Sequence, residues 1–177
     1  MPVEQDKIQS VIGMMPLAVA VLNINDQKKV CLDSCNTSFV EIWNLDRSHT
    51  DKKPSLNWFL EYLRNNQLLP EQNDFQKFKS RINQLVISGE GFAEEWHLPE
   101  GSTFNIKCNS FDSLRRLFII EDLTPRLKIE RALNEIVKVH QMTLDHLKEG
   151  IAVFGGDGLL KLHNPSFISF WKLPEGI

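Results

Sequence analysis

The sequence lacks the features that mark several common classes of protein. Its 177 residues contain no apolar run near the roughly 20 residues that a membrane-spanning helix needs. The opening residues, MPVEQDKIQS, are polar and acidic, unlike a signal peptide. The net charge is −3 and no dense lysine or arginine cluster is present, which argues against nucleic acid as the main partner. We therefore expect a cytoplasmic protein that binds neither membrane nor nucleic acid.

Cysteine is also scarce. The three cysteines, Cys31, Cys35 and Cys108, form an odd set without the spacing of metal ligands. In a reducing compartment such residues are most often buried thiols. Cys35 lies just before a predicted helix, where the helix N-terminus lowers a thiol pKa, so a redox-responsive Cys35 is the alternative interpretation.

Catalytic motifs are missing as well. The sequence has no Gly-x-x-x-x-Gly-Lys-Ser/Thr, Gly-x-Gly-x-x-Gly, His-Glu-x-x-His or Gly-x-Ser-x-Gly motif. Its five histidines are scattered, and His140 and His146 lie on different faces of one predicted helix. The sequence therefore predicts no enzyme, no metal site and no supported cofactor, although an unknown small ligand is possible.

One ten-residue stretch occurs twice. NTSFVEIWNL (residues 36–45) and NPSFISFWKL (residues 164–173) share Asn, Ser, Phe, Trp and Leu at the same five places. A strand, a tight turn and a second strand precede each copy, so the repeated unit is a domain and not a solenoid repeat. The second copy has only about 30 residues, too few for a core of its own. We therefore expect the chain to be a fragment that is cut inside a second domain.

The patterns before residue 122 predict an antiparallel sheet with helices on one face. Residues 3 to 15 have the spacing of an amphipathic helix, and the strands LAVAVLNI and KVCLDS follow as a hairpin. Three helical patterns come next, and the period then changes to that of strands in GFAEEWHL, STFNIKCNS and RRLFIIED. The short connections make these last strands antiparallel. The predicted fold class is α+β.

A long helix is predicted from residue 123 to residue 147. Thr124 is a good N-cap, and Pro125 fits the first helical position. One heptad assignment gives a seam for a partner helix formed by Ile129, Leu133, Ile136, His140, Thr143 and Leu147. A competing seam consists of Ile129, Ala132, Ile136 and Val139. The remaining alternative is a single helix that packs on its own domain.

Aromatic residues occur on both the predicted helices and the predicted strands. Packed together they would fill the space between sheet and helices, which is the usual role of such residues. A domain of this kind can also leave a cavity for a small apolar ligand. The candidate pocket residues are Phe39, Trp43, Phe59, Phe78, Phe104, Ile106 and Phe118.

Three segments carry a resemblance to a known family. EEWHLPEGSTFNI, IIEDLTPRLKIERAL and TLDHLKEGIAVFGGDGLLKLHNPSF resemble the tandem PAS region of sensor histidine kinases common in alphaproteobacteria. The likeness is strongest over residues 90 to 173, fair over 11 to 45 and weak over 46 to 89. EDLT is similar to the Asp-x-Thr signature that ends many PAS domains, which assigns Asp122 and Thr124 to signal relay.

The resemblance implies a PAS fold, a five-stranded antiparallel sheet with short helices on one face, followed by a long signalling helix. It implies a PAS domain over residues 1–122, a linker helix over 123–147 and the start of a second PAS domain over 148–177. The implied function is a sensory module of a histidine kinase that forms a homodimer, with the kinase and output domains outside this chain. The alternative is a sensor with a small molecule or cofactor in the aromatic-lined pocket. The cysteine signature of flavin-binding light sensors is absent.

Overall fold

The computed structural model describes residues 10–174, which divide into two compact units, one ending at Thr124 and the other beginning at Pro125. In the first unit, residues 10–13 are helical. The helix predicted over residues 3 to 15 is therefore confirmed at its end, whereas residues 3–9 lie outside the described residues.

The first unit contains one five-stranded antiparallel sheet. Its strands are β1 (Ala18–Ile24), β2 (Val30–Cys35), β3 (Phe92–His97), β4 (Thr103–Ser110) and β5 (Arg115–Asp122). They lie side by side in the order β2-β1-β5-β4-β3. The two hairpin strands are thus joined to the meander through β1 and β5, and all five strands lie where the sequence predicts them.

Four helices connect β2 to β3. They are α1 (Thr37–Ile42), α2 (Arg47–Asp51), α3 (Leu56–Asn65) and α4 (Phe75–Ser88). Each follows a polar residue whose side chain accepts a hydrogen bond from a backbone N–H of the first turn; these N-caps are Asn36, Asp46, Ser55 and Asp74. The sequence patterns miss the short helix α2, since it has no buried residue and so no apolar periodicity.

Both faces of β1 are buried. Ala18, Ala20 and Leu22 face the main core, which contains the buried residues of α1, α3 and α4. Val19 and Val21 face the other side and pack with Ile12, from the helical turn that precedes the strand. The sheet therefore carries α1 to α4 on one face and this N-terminal turn on the opposite face.

Arg116 of β5 fixes the end of α4. Its side chain is only 6% exposed, and its Nε donates to the carbonyl of Val86 at 2.9 Å. That carbonyl belongs to the last turn of α4, where the helix dipole favours a positive charge. Gly89 follows with φ of +74°, and a Cβ added to it would lie 2.9 Å from Nη2 of Arg116. The turn thus depends on glycine for both its backbone angle and its space.

The second unit is much smaller. It consists of α5 (Thr124–Asp145, which begins at the last residue of the first unit), β6 (Ala152–Phe154), β7 (Leu160–His163) and α6 (Pro165–Trp171). β6 and β7 form an antiparallel hairpin, and Asn164 is the N-cap of α6. The strand–turn–strand–helix order of the first unit is thus repeated, as the paired ten-residue stretches predict.

We expect Gly89→Ala to lower the free energy of unfolding by about 1–2 kcal/mol, because alanine disfavours a left-handed backbone. Its methyl group would also displace Arg116. Urea denaturation followed by tryptophan fluorescence measures the change. Gly13→Ala is the matched control, since an added Cβ there meets nothing within 4 Å. An equal loss in both variants would contradict the role of the Gly89 turn.

Candidate functional site

The sheet passes into α5 through a small set of hydrogen bonds at the end of β5. Oγ1 of Thr124 accepts from the backbone N–H of Thr103 at 2.9 Å and lies 3.5 Å from the Thr103 carbonyl. The backbone N–H of Leu123 donates to that carbonyl at 2.9 Å. Because Thr103 is the first residue of β4 and is buried, the start of the helix is tied to a strand other than the one it follows.

The two predicted relay residues are adjacent here, but their local roles differ from the sequence expectation. Thr124 was expected to cap α5, yet its hydroxyl bonds to β4 instead. The carboxylate of Asp122 accepts from the backbone N–H of Thr124 at 2.8 Å and takes over the capping function. The reason is tertiary: the hydroxyl satisfies a buried backbone group of Thr103, which would otherwise be unpaired.

The exposed face of α5 contains most of the predicted seam. No residue of the helix is buried, and Ile129, Leu133 and Ile136 are 70%, 58% and 53% exposed. His140 is exposed as well. Val139, which belongs to the competing seam, is also exposed, together with Val137 and Met142. The described structure therefore leaves a long apolar surface on this helix.

The seven candidate pocket residues lie together in the main core of the first unit. Phe39 stacks on Phe59 with ring centroids 5.5 Å apart, and Trp43 meets the Phe104 ring edge-on at 5.3 Å. Six of the seven are buried and Phe78 is half-buried. The rings thus touch one another across the space between sheet and helices.

Two indole nitrogens in this core lack partners. Nε1 of Trp43 and Nε1 of Trp96 are both buried without a hydrogen bond, and the two rings are 6.4 Å apart. A buried donor without an acceptor is costly, and each such group in a native fold requires an explanation. Trp96 was not among the predicted pocket residues, because only contacts across the sheet bring it beside Trp43.

The cysteines are poorly suited to redox chemistry. Burial raises the pKa of the Cys35 thiol to about 11, and the nearby Asp51 carboxylate raises it further. Burial likewise raises the pKa of Cys108 to about 11. Cys35 lines a polar cavity of about 200 Å³ with Arg47 and Asp51 among its walls. The lowering expected from a helix N-terminus is thus reversed by loss of solvent, and the prediction of buried thiols is confirmed for Cys108, whereas Cys31 and Cys35 are half-buried.

Sequence reasoning missed the two most buried polar side chains of the repeat. Asn36 and Asn164 are 3% and 0% exposed. Each is the first residue of one copy of the ten-residue stretch, and this shared position is the signal that could have identified them. Their contacts are described below.

Other kinds of site were sought among residues 10–174. No group of three histidine, cysteine, aspartate or glutamate side chains in this part of the chain is placed to hold a metal ion. His97 on β3 has Nδ1 3.2 Å from the hydroxyl of Thr103. Across the same residues, no helix has both the length and the apolar character needed to cross a membrane.

We expect the native thiols of Cys35 and Cys108 to react slowly with iodoacetamide at pH 9. With a pKa near 11, each thiolate is about 50-fold less abundant than in the unfolded chain. Because ionisation then favours the unfolded chain, stability should fall as pH rises from 9 to 11. Mass spectrometry of each cysteine, with and without urea, measures the rates. Equal rates in both conditions would contradict the burial of these thiols.

The chain was compared with known proteins. No family model matches it. Among solved structures it is similar to a domain of a sensory box sensor histidine kinase/response regulator from Geobacter sulfurreducens (9% identity, TM-score 0.45, covering 67% of this chain and 94% of that one). It is also similar to the Rhodobacter sphaeroides LOV protein (11% identity, TM-score 0.40, covering 68% of each chain).

A curated protein gives the stronger match. Over 139 residues, or 78% of this chain, the sequence is 33% identical to the sensor protein DivL of Caulobacter vibrioides. The chain spans 18% of the length of that protein. The first unit has the α+β architecture that the resemblance predicts, a five-stranded antiparallel sheet with helices on one face, and the chain is similar to part of a sensor protein.

Proposed function

We propose that the chain is the sensory PAS region of a larger, cytoplasmic sensor histidine kinase, and that it dimerises and relays a signal along its linker helix. In this proposal residues 1–122 are the PAS domain, residues 123–147 the linker and residues 148–177 the start of a second PAS domain. The similarity to a sensor protein supports the sensory role. The observation that carries the relay is the bond between Thr124 and Thr103, which ties the helix to β4.

The relay has a simple physical basis. A change of packing in the aromatic core moves the inner faces of β4 and β5, which contain the buried residues Ile106, Phe118 and Ile120. Thr103 is at the start of β4, and Asp122 is at the end of β5. Because α5 is bonded to both strands through Thr124, relative movement of the strands changes the direction in which the helix starts. A switch needs such an element with two arrangements.

Dimerisation is supported by the apolar face of α5. Ile129, Leu133 and Ile136 are spaced at three and four residues, the pattern of a two-stranded helical seam. Each is more than half exposed, so pairing two such helices would bury apolar surface that water now covers. The occupant of this face is a second copy of the same helix.

We expect Ile136→Glu to raise the Kd of the homodimer at least about tenfold, since a charged carboxylate replaces the apolar side chain that pairing of the helices would bury. Sedimentation equilibrium measures Kd. The control is Asn134→Glu, which adds the same charge to the same helix on the opposite face. The proposed homodimer is wrong if the wild-type chain is still monomeric at a concentration 100-fold above that at which a stable dimer forms. It is also wrong if Ile136→Glu and Asn134→Glu raise the Kd equally.

We expect Thr124→Val to cost about 1–3 kcal/mol of stability, because the buried N–H of Thr103 loses its acceptor, and to change the kinase activity of the full-length protein. Valine keeps the shape of the side chain but removes the bonds to Thr103. Asp122→Ala should act in the same direction, since it removes the acceptor for the Thr124 N–H. Autophosphorylation from labelled ATP gives the activity.

The matched control for this experiment is Thr50→Val. Thr50 donates its hydroxyl to the Arg47 carbonyl within α2, so the same atoms change at a place outside the relay. The relay is wrong if Thr124→Val, Asp122→Ala and the control all leave kinase activity at the wild-type level.

One observation favours a second function, a ligand sensor. The unpaired N–H groups of Trp43 and Trp96 are two donors in the aromatic core, and a small molecule with an acceptor atom would satisfy them. Native mass spectrometry of the purified chain separates the two functions. A dimer without added mass favours relay through a filled core, and added mass favours a ligand in that core.

A further inference from the structure

Asn36 joins three segments of the first unit through one side chain. Its Oδ1 accepts from the backbone N–H of Val19 in β1 and from that of Phe39 in α1, both at 3.0 Å. Its Nδ2 donates to the carbonyl of Ile12 at 3.0 Å and to that of Leu17 at 2.7 Å. A single amide thus binds the helical turn before the sheet, the first strand and the first helix of the domain.

Asn164 makes the same contacts in the second unit. Its Oδ1 accepts from the backbone N–H of Ile151 at 2.8 Å and from that of Phe167 at 2.9 Å. Its Nδ2 donates to the carbonyl of Leu144 at 3.0 Å and to that of Glu149 at 2.8 Å. Each of these four bonds of Asn36 has a counterpart here with the same donor and acceptor groups, whereas the longer contact of Asn36 Nδ2 with the Met15 carbonyl at 3.5 Å does not.

The correspondence is also regular along the sequence. Ile12, Leu17 and Val19 lie 24, 19 and 17 residues before Asn36. Their counterparts lie 20, 15 and 13 residues before Asn164. The constant difference of four residues reflects the shorter hairpin of the second copy, in which β6 and β7 are shorter than β1 and β2. The end of α5 is therefore related to the second copy as the N-terminal helical turn is related to the first.

We infer that Asn36 and Asn164 are positioning residues that attach each PAS unit to the helix that enters it. This inference rests on the proposed relay, and it identifies where the signal passes from α5 to the next unit. Thr124 bonds the start of α5 to β4, and Asn164 bonds its last turn, through Leu144, to the hairpin and α6. Movement of the helix is thereby transmitted to the start of β6 through a rigid amide.

The chemistry requires asparagine at this position. The side chain must donate two bonds and accept two, and only the amides of asparagine and glutamine do both. Aspartate keeps the acceptors for the strand and the helix cap but loses both donors. Serine keeps the cap, since it is as good an N-cap as asparagine, but is too short to reach the entering helix. The two substitutions therefore separate capping from attachment.

The test is amide hydrogen exchange of the whole chain, followed by mass spectrometry. In Asn164→Asp we expect the amides of residues 144–147 to exchange at least about tenfold faster than in the wild type, because the last turn of α5 loses its anchor. Protection in α6 should remain, since Oδ1 still accepts from Phe167. Asn36→Asp should likewise affect residues 12–15 and spare α1.

The control is Asn134→Asp, which makes the same chemical change at an exposed position of α5. Unchanged exchange of residues 144–147 in Asn164→Asp would overturn the inference, as would an equal increase in α5, the hairpin and α6. If the aspartate variant loses the hairpin altogether, Asn164→Ser decides. Faster exchange at residues 144–147 with α6 protected supports the inference, and wild-type exchange there overturns it.

The attachment and the relay fail in different ways. Repeating the measurement in the Ile136→Glu background tests the attachment without the helix pair. If exchange increases locally there and the wild-type chain is monomeric, the inference on the asparagine contacts is supported and only the proposed dimer is wrong. If Asn164→Asp exchanges at the wild-type rate and the dimer forms normally, only the inferred attachment is wrong.

Discussion

Burial of β1 on both faces is the constraint on which the rest of the structure depends. A strand in the middle of a sheet satisfies its backbone groups through its neighbours, but its two rows of side chains each need a cover. Ala18, Ala20 and Leu22 are covered by the α1–α4 side of the domain, and Val19 and Val21 by the turn that contains Ile12. The N-terminal turn is therefore part of the fold and cannot leave without exposing valine side chains to water.

Outside β1 the outer face of the sheet is mostly half-buried or exposed, and the helices that enter and leave the domain meet the sheet at the ends of its strands. There the backbone groups of the strands are no longer paired within the sheet, and side chains from adjoining segments must satisfy them. Thr124 does this for Thr103, and Asn36 does it for Val19. The same bonds that keep buried polar groups paired thus connect the entering and leaving helices to the sheet. Stability and signal relay share one set of atoms in this proposal.

The sheet, the long helix and the repeat were predictable because each leaves a strong periodic pattern. Residues 17–22 form a continuous apolar run, and Phe104, Ile106 and Cys108 alternate with polar residues. The helix from Pro125 onward contains no further proline and no glycine before its end. Helix α2 was missed for the opposite reason: its five residues bury nothing, and the Asp46 cap and the ring contacts of His49 with Trp58 and Tyr62 hold it. The predicted pocket omitted Trp96, whose ring lies 6.4 Å from that of Trp43, because spacing along the sequence does not say which aromatic residues of different elements come into contact.

The patterns of the sequence predict the strands and every helix except α2, the apolar face of each, and the double occurrence of one domain type. What the polar residues at the junctions bind follows from the tertiary structure alone. Threonine often caps helices, yet the hydroxyl of Thr124 bonds to β4, and the carboxylate of Asp122 caps α5 instead. Asn36 looks like a simple cap, yet it also binds the Ile12 and Leu17 carbonyls. Periodicity reports burial along one segment, whereas a hydrogen-bond partner depends on which distant backbone group the fold leaves unpaired.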